Sequence, residues 1–160
     1  MRIVTISLVL LLLTGCKSRS HGPVAIEADD SCASCRMAIS ERRYAAEIVD
    51  PDGNVYKFDD IACMLRFAHA HGMEPRTVDF YVTDYKTGKD WMDARQSYFA
   101  GLRSSVSSPM GSGLVAFRNL NDAQQLKENK FGHALTFEEL RRDLDAFNTD
   151  NRDMPSPRLP

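Results

Sequence analysis

Cysteine is scarce in this 160-residue chain, with four residues, too few for a scaffold held together by many disulfides. An excess of basic residues is missing as well. Twenty Lys and Arg stand against 22 Asp and Glu, for a formal net charge of −2. That balance leaves no electrostatic footprint for nucleic acid and no polybasic surface for a membrane. There is no second long apolar run, which excludes a polytopic membrane protein. No Ser/His/Asp grouping, phosphate-cradling glycine-rich loop or paired-carboxylate cleft emerges, so the sequence argues against an enzyme. What is present is a length suited to one domain, or two very small ones, with 43% hydrophobic residues to build a core.

Part of that apolar content is spent at the N-terminus. Arg2 precedes an almost unbroken apolar run from Ile3 to Leu13. As a helix this run would span only about 16 Å, against roughly 30 Å of bilayer hydrocarbon. It is therefore expected to be a signal peptide, residues 1–15, and not a membrane span. It closes in Leu13-Thr14-Gly15-Cys16, which is similar to a bacterial lipobox, making Cys16 the expected lipidation site. Lys17 and Ser18 follow without the aspartate of an inner-membrane retention signal. The expected location is thus the periplasmic side of a bacterial membrane, most simply the outer one. Residues 16–30 are polar with Gly and Pro, and read as a lipidated tether.

Downstream the pattern reads twice as strand, strand, helix, strand. In residues 31–90, Tyr44–Val49 and Val55–Phe58 form a hairpin around Asp50-Pro51-Asp52-Gly53-Asn54. Asp59 and Asp60 place carboxylates at the start of a helix whose Ile61, Met64, Leu65 and Ala68 share one face. Gly72 and Pro75 stop it, and Thr77–Thr83 alternates as a third strand. In residues 91–148, Ser97–Leu102 and Leu114–Phe117 pair. Asn119 caps a helix with Leu120, Ala123 and Leu126 that ends at Gly132, and Ala134–Thr136 returns as a strand. Thr136 and Glu139 make a capping box for a final helix with Phe137, Leu140, Leu144 and Phe147 on one stripe. The expected fold is α+β, two tandem ββαβ-like units and a C-terminal helix, with residues 149–160 as a disordered tail.

Without Cys16, three cysteines remain, Cys32, Cys35 and Cys63, so at least one thiol lacks an intramolecular partner. Cys32-Ala33-Ser34-Cys35 admits three chemistries: structural zinc, a redox dithiol, or a soft cation. Zinc would need Cys63 and His69 or His71 to complete four ligands. A redox dithiol belongs at a helix N-terminus in a βαβ unit, and this pair precedes the first strand. Met37, two residues after Cys35, favours the soft cation, because thiolate plus thioether suits Cu(I). A Cys32–Cys35 disulfide with Met37 filling the core is the competing reading. A second methionine, Met110, lies in Ser107-Ser108-Pro109-Met110-Gly111-Ser112-Gly113, where the glycines allow close backbone approach; it either packs or ligates.

Together the lipobox, Cys-x-x-Cys-x-Met, Phe58-Asp59-Asp60-Ile61-Ala62-Cys63-Met64, Trp91-Met92-Asp93-Ala94 and Ser108-Pro109-Met110-Gly111-Ser112-Gly113-Leu114-Val115-Ala116-Phe117 resemble the NosL family. The resemblance runs from Cys16 to about Phe147. It implies an α+β fold similar to the organomercurial lyase core, with Cu(I) as the bound metal. It also implies a copper chaperone serving nitrous oxide reductase or its maturation machinery. Carried over residue by residue, it makes Cys35, Met37 and Met110 the metal ligands. Arg36 stands where the family often has glycine. Cys32 is expected as a second thiolate or as the partner that oxidises Cys35. Cys63 is read as a buried structural residue, Trp91 as a core anchor, and His21 and His133 as residues outside the site; His69 and His71 are read as surface residues, with completion of the copper site by one of them as the alternative. The alternatives are a thiol–disulfide redox lipoprotein using Cys32 and Cys35, and a non-catalytic docking lipoprotein.

Overall fold

The computed structural model describes residues 22–102, 108–126 and 129–150, without the side chains of residues 144–150. The signal peptide, Cys16, His21, the side chains of Leu144 and Phe147, and the last ten residues lie outside that description. Among the described residues no helix is long and apolar enough to cross a membrane.

Two antiparallel sheets carry the fold. The first contains β1 (Ala46–Val49), β2 (Val55–Phe58), β3 (Asp79–Thr83) and β4 (Trp91–Asp93), in the order β2-β1-β3-β4. Ala46 faces Phe58 on one side and Val82 on the other, which sets the register of β1 against both neighbours. The second sheet contains β5 (Tyr98–Gly101), β6 (Leu114–Phe117) and β7 (Leu135–Thr136), in the order β6-β5-β7. The two units thus repeat one topology. The opening strand is central, its hairpin partner lies on one flank, and the strand that follows the helix lies on the other. The chain is α+β with a C-terminal helix, as its pattern predicts.

Helix α1 (Ile61–Ala70) forms where the sequence places it. Asp60 is its N-cap, with extended backbone and a carboxylate oxygen accepting the Ala62 N–H at 2.8 Å. Ile61, Met64, Leu65 and Ala68 are all buried, so the predicted stripe is the buried face. Past the C-cap His71, Gly72 takes φ +62°, a conformation glycine adopts without steric cost. Helix α3 (Phe137–Asp150) opens on the expected capping box. The Glu139 carboxylate accepts the Thr136 N–H at 2.8 Å, and the Thr136 hydroxyl accepts the Glu139 N–H at 3.3 Å. One apolar cluster then joins both sheets, α1 and α3. In it Phe137 stands 5.2 Å from the Phe80 ring and 5.9 Å from the Phe99 ring. Each such phenylalanine, fully buried, contributes on the order of 1.5–3 kcal/mol.

The structure departs most from the sequence pattern in three places. Arg42–Tyr44 is a single 3₁₀ turn, so β1 starts at Ala46 and not at Tyr44. Helix α2 (Leu120–Gln124) stops well before Gly132. Of its expected stripe only Ala123 is fully buried while Leu120 stays 40% exposed, leaving little burial to extend it. Strand β4 was not legible, because three residues are too few to show an alternation. It brings Trp91 to the edge of the first sheet, half-buried on Ile26, Ile39 and Ala45, with its indole N–H on the Val24 carbonyl at 3.1 Å. The sheets are joined by a parallel bridge at Asp84 and Ala116, where Tyr85 N–H donates to the Ala116 carbonyl at 2.9 Å.

Candidate metal centre

The Cys32–Met37 segment is a tight turn held by its own backbone. Cys32 N–H donates to the Met37 carbonyl at 2.8 Å, and Arg36 N–H to the Cys32 carbonyl at 2.9 Å. Ala33 N–H donates to the Lys57 carbonyl at 2.8 Å, which fastens the turn to β2. Arg36 adopts φ +68°, the left-handed region. An arginine there costs about 1 kcal/mol or more, which glycine would not incur. The turn keeps a glycine-like shape at this position despite the arginine.

Just past that end of β2, Asp59 and Asp60 have divided their roles. Only one residue can be the N-cap of α1, and that residue is Asp60. Successive side chains in extended backbone point to opposite sides, so Asp59 faces the turn. Cys63, in the first turn of α1, faces it too. The result is a group of four donors, Cys32, Cys35, Asp59 and Cys63, whose sulfur and oxygen atoms all lie within 4.8 Å of one another. Cys35 Sγ donates to Asp59 Oδ2 at 3.4 Å, and the Cys35 amide donates to Cys32 Sγ at 3.5 Å. The Arg66 guanidinium reaches Cys63 Sγ at 3.3 Å. Cys32, Cys63 and Asp59 are fully buried, and Cys35 is half-buried.

The protons in this group are unequally held. A hydrogen bond donated by Cys63 pulls the Cys32 thiol down to about 6, against the cost of burial. Cys63 is pushed far up by the same hydrogen bond and then by burial. Burial pushes Cys35 up to about 11. Cys63 thus donates toward Cys32, while the Cys35 thiol donates to Asp59. All three cysteines are free thiols. Asp59 Oδ1 is buried without a hydrogen-bond partner, an orphaned acceptor beside three sulfurs. A buried oxygen of this kind normally has a partner, so its exposure to the sulfur group marks a place for a cation.

Of the residues predicted for the site, Cys32 and Cys35 are brought together. Met110 is half-buried against the same apolar cluster that contains Cys32 and Cys63. Its backbone N–H points to Asp60 Oδ2 at 3.4 Å. Met37 is 50% exposed. Cys16 lies outside the described residues. His71 stacks on Phe67 at 4.0 Å, with Nδ1 at 2.8 Å from the Phe67 carbonyl oxygen, and His69 and His133 are exposed. None of these histidines belongs to the four-donor group.

Sequence reasoning missed two members. Cys63 is buried as expected, but its sulfur also belongs to the group. Asp59 was read only as a carboxylate near a helix end. The signal available for it was the doublet itself, since a helix start uses one N-cap and the second acid must face something else.

Residues 23–144 match the family model described as NosL. Among solved structures, the chain is similar to the crystal structure of the copper chaperone NosL from Shewanella denitrificans. The TM-score is 0.57 and the identity 22%, over 74% of this chain and 94% of that one. A likeness at that identity shows a shared fold. No curated protein matches the chain.

Proposed function

The chain belongs to the NosL family, and from that premise we propose that it binds Cu(I) and hands it on, acting as a chaperone and not as an enzyme. The observation that carries this reading is the four-donor group, three cysteine sulfurs and one carboxylate oxygen within 4.8 Å. Sulfur donors select soft, low-charge ions, and a largely sealed set of three disfavours hard cations such as Mg(II). Copper here is cargo. The similar solved protein is itself a copper chaperone.

In the finer reading, Cys35 is the principal ligand, supported by Cys32 and Cys63. Met37 and Met110 supply neutral thioethers that a recipient's donors can displace. Met37, half exposed, is the first of these sulfurs a partner would meet. The lipobox-like Leu13-Thr14-Gly15-Cys16 supports a lipid anchor at Cys16 on the periplasmic side, most simply of the outer membrane. The family resemblance supports nitrous oxide reductase, or the machinery that matures it, as recipient.

Anaerobic Cu(I) titration against a competing chelator tests the central claim. One copper per chain is expected to bind tightly, and Cys35→Ser to abolish tight binding, because a hydroxyl is a hard, poor ligand for a soft ion. Dithiol turnover on a model disulfide without copper binding would instead establish the redox reading, which the low-lying Cys32 thiol favours. For the anchor, Cys16→Ser is expected to leave an unprocessed precursor without incorporated fatty acid. Normal processing with lipid labelling in that variant would remove the lipobox from the argument.

A further inference from the structure

Asp60 does more than an N-cap requires. Capping uses one bond, from Ala62 N–H to Oδ1 at 2.8 Å. The same carboxylate, fully buried, also accepts the Ser108 hydroxyl on Oδ2 and the Ser112 hydroxyl on Oδ1, each at 2.6 Å. Met110 N–H approaches Oδ2 at 3.4 Å. All three additional donors come from one loop of the second unit, about fifty residues along the chain. A serine or asparagine would cap α1 as well; only a two-oxygen acceptor can hold both hydroxyls while it caps.

The two serines in turn close the loop around Met110. Gly113 N–H donates to the Ser108 hydroxyl oxygen at 2.9 Å, and Leu114 N–H to that of Ser112 at 3.0 Å. Gly111 N–H returns to the Ser108 carbonyl at 2.9 Å. Met110 is therefore the half-buried residue inside a turn whose feet stand on one carboxylate. That carboxylate adjoins Asp59, which accepts from Cys35. The Asp59-Asp60 pair thus faces the thiols with one side chain and the methionine loop with the other.

We propose that Asp60 is a positioning residue for the metal centre, holding the Met110 loop against the cysteine group through Ser108 and Ser112. The proposal rests on the reading of Met110 as a copper ligand. Asp60 touches no copper itself; it fixes where the thioether is presented, as outer partners do for metal ligands generally.

The test uses the purified protein, Cu(I) supplied anaerobically against a chelator, and three variants: Met110→Leu, the pair Ser108→Ala/Ser112→Ala, and all three changes together. Loss of an outer partner typically weakens metal affinity roughly 10- to 100-fold, and the serine pair is expected to fall in that range. The triple variant is expected to bind no more weakly than Met110→Leu alone, because the serines act through the methionine. Copper K-edge absorption of the serine variant is expected to show the same lost sulfur scatterer as Met110→Leu, a signature that a general loss of stability does not produce. Should the serine pair fail to fold, Asp60→Asn keeps an N-cap oxygen while removing the second acceptor, and the same two measurements apply. Parent-like affinity in the serine variant beside weakened Met110→Leu, or losses that simply add, would overturn the positioning role alone. Parent-like binding by Met110→Leu would overturn the ligand reading, and the positioning role with it.

Discussion

Glu47 sits in the middle of β1, between Lys57 of β2 and Tyr81 of β3, with no exposed surface. One carboxylate oxygen accepts the Val24 N–H at 2.9 Å, and the other has no hydrogen-bond partner. Burial raises its pKa from the ordinary 4.5 to about 7, against the Val24 bond and the Lys57 charge. The folded protein therefore holds a proton that the unfolded chain has already released. The stability this provides is complete below pH 4.5 and is lost as pH rises through about 7. A displacement of that size corresponds to about 3 kcal/mol. Glu47→Gln keeps an acceptor for Val24 and removes the titration. Denaturant unfolding across this pH window, followed by circular dichroism, is expected to show the parent weakening relative to the variant by about that amount. The carboxylates held below their ordinary values, Asp30, Asp50, Asp93, Asp122 and Glu139, act in the opposite sense at lower pH and are common to both proteins. Parallel stability curves for parent and variant would refute the argument, and would mean that water or Lys57 compensates the buried charge.

Gly113→Ala is expected to lower stability by about 2 kcal/mol or more, read as a fall in melting temperature. Its φ is +66°, and an added Cβ would meet the Leu102 carbonyl oxygen at 2.6 Å. Phe137→Ala, which removes the ring between Phe80 and Phe99, is expected to cost about 3–5 kcal/mol in denaturant unfolding. Cys63→Ser is expected to weaken Cu(I) retention against a chelator more than Met37→Leu does, since Cys63 Sγ lies within the buried group and Met37 is half exposed. Parent-like retention in Cys63→Ser would return that thiol to packing alone.

What the sequence made legible were features encoded within a few residues. Val55–Phe58 and Leu114–Phe117 appear at the predicted bounds, because each is a short strand-forming run between clear turn residues. The Asp60 cap and the Thr136–Glu139 box are local hydrogen-bond chemistry, and both formed. Features decided by distant partners were not legible. Trp91–Asp93 becomes a strand only because β3 offers an edge. Asp59 and Cys63 join the metal centre only because the Cys32–Met37 turn is fastened to β2 through Ala33 and Lys57. Nothing in the residues around Asp60 announces that its two oxygens also accept serine hydroxyls from the other unit.

Tandem units of one topology invite the idea of interchangeable modules, and the Asp60 carboxylate argues against it. A fragment ending before β5 would retain every cysteine of the metal centre. It would leave a buried acid at the root of α1 with one donor in place of four. A chimera that borrowed its second half from another protein would inherit the same deficit unless the graft carried serines at positions 108 and 112. The second unit contributes no thiol, yet it is the part whose replacement the cysteines would notice first.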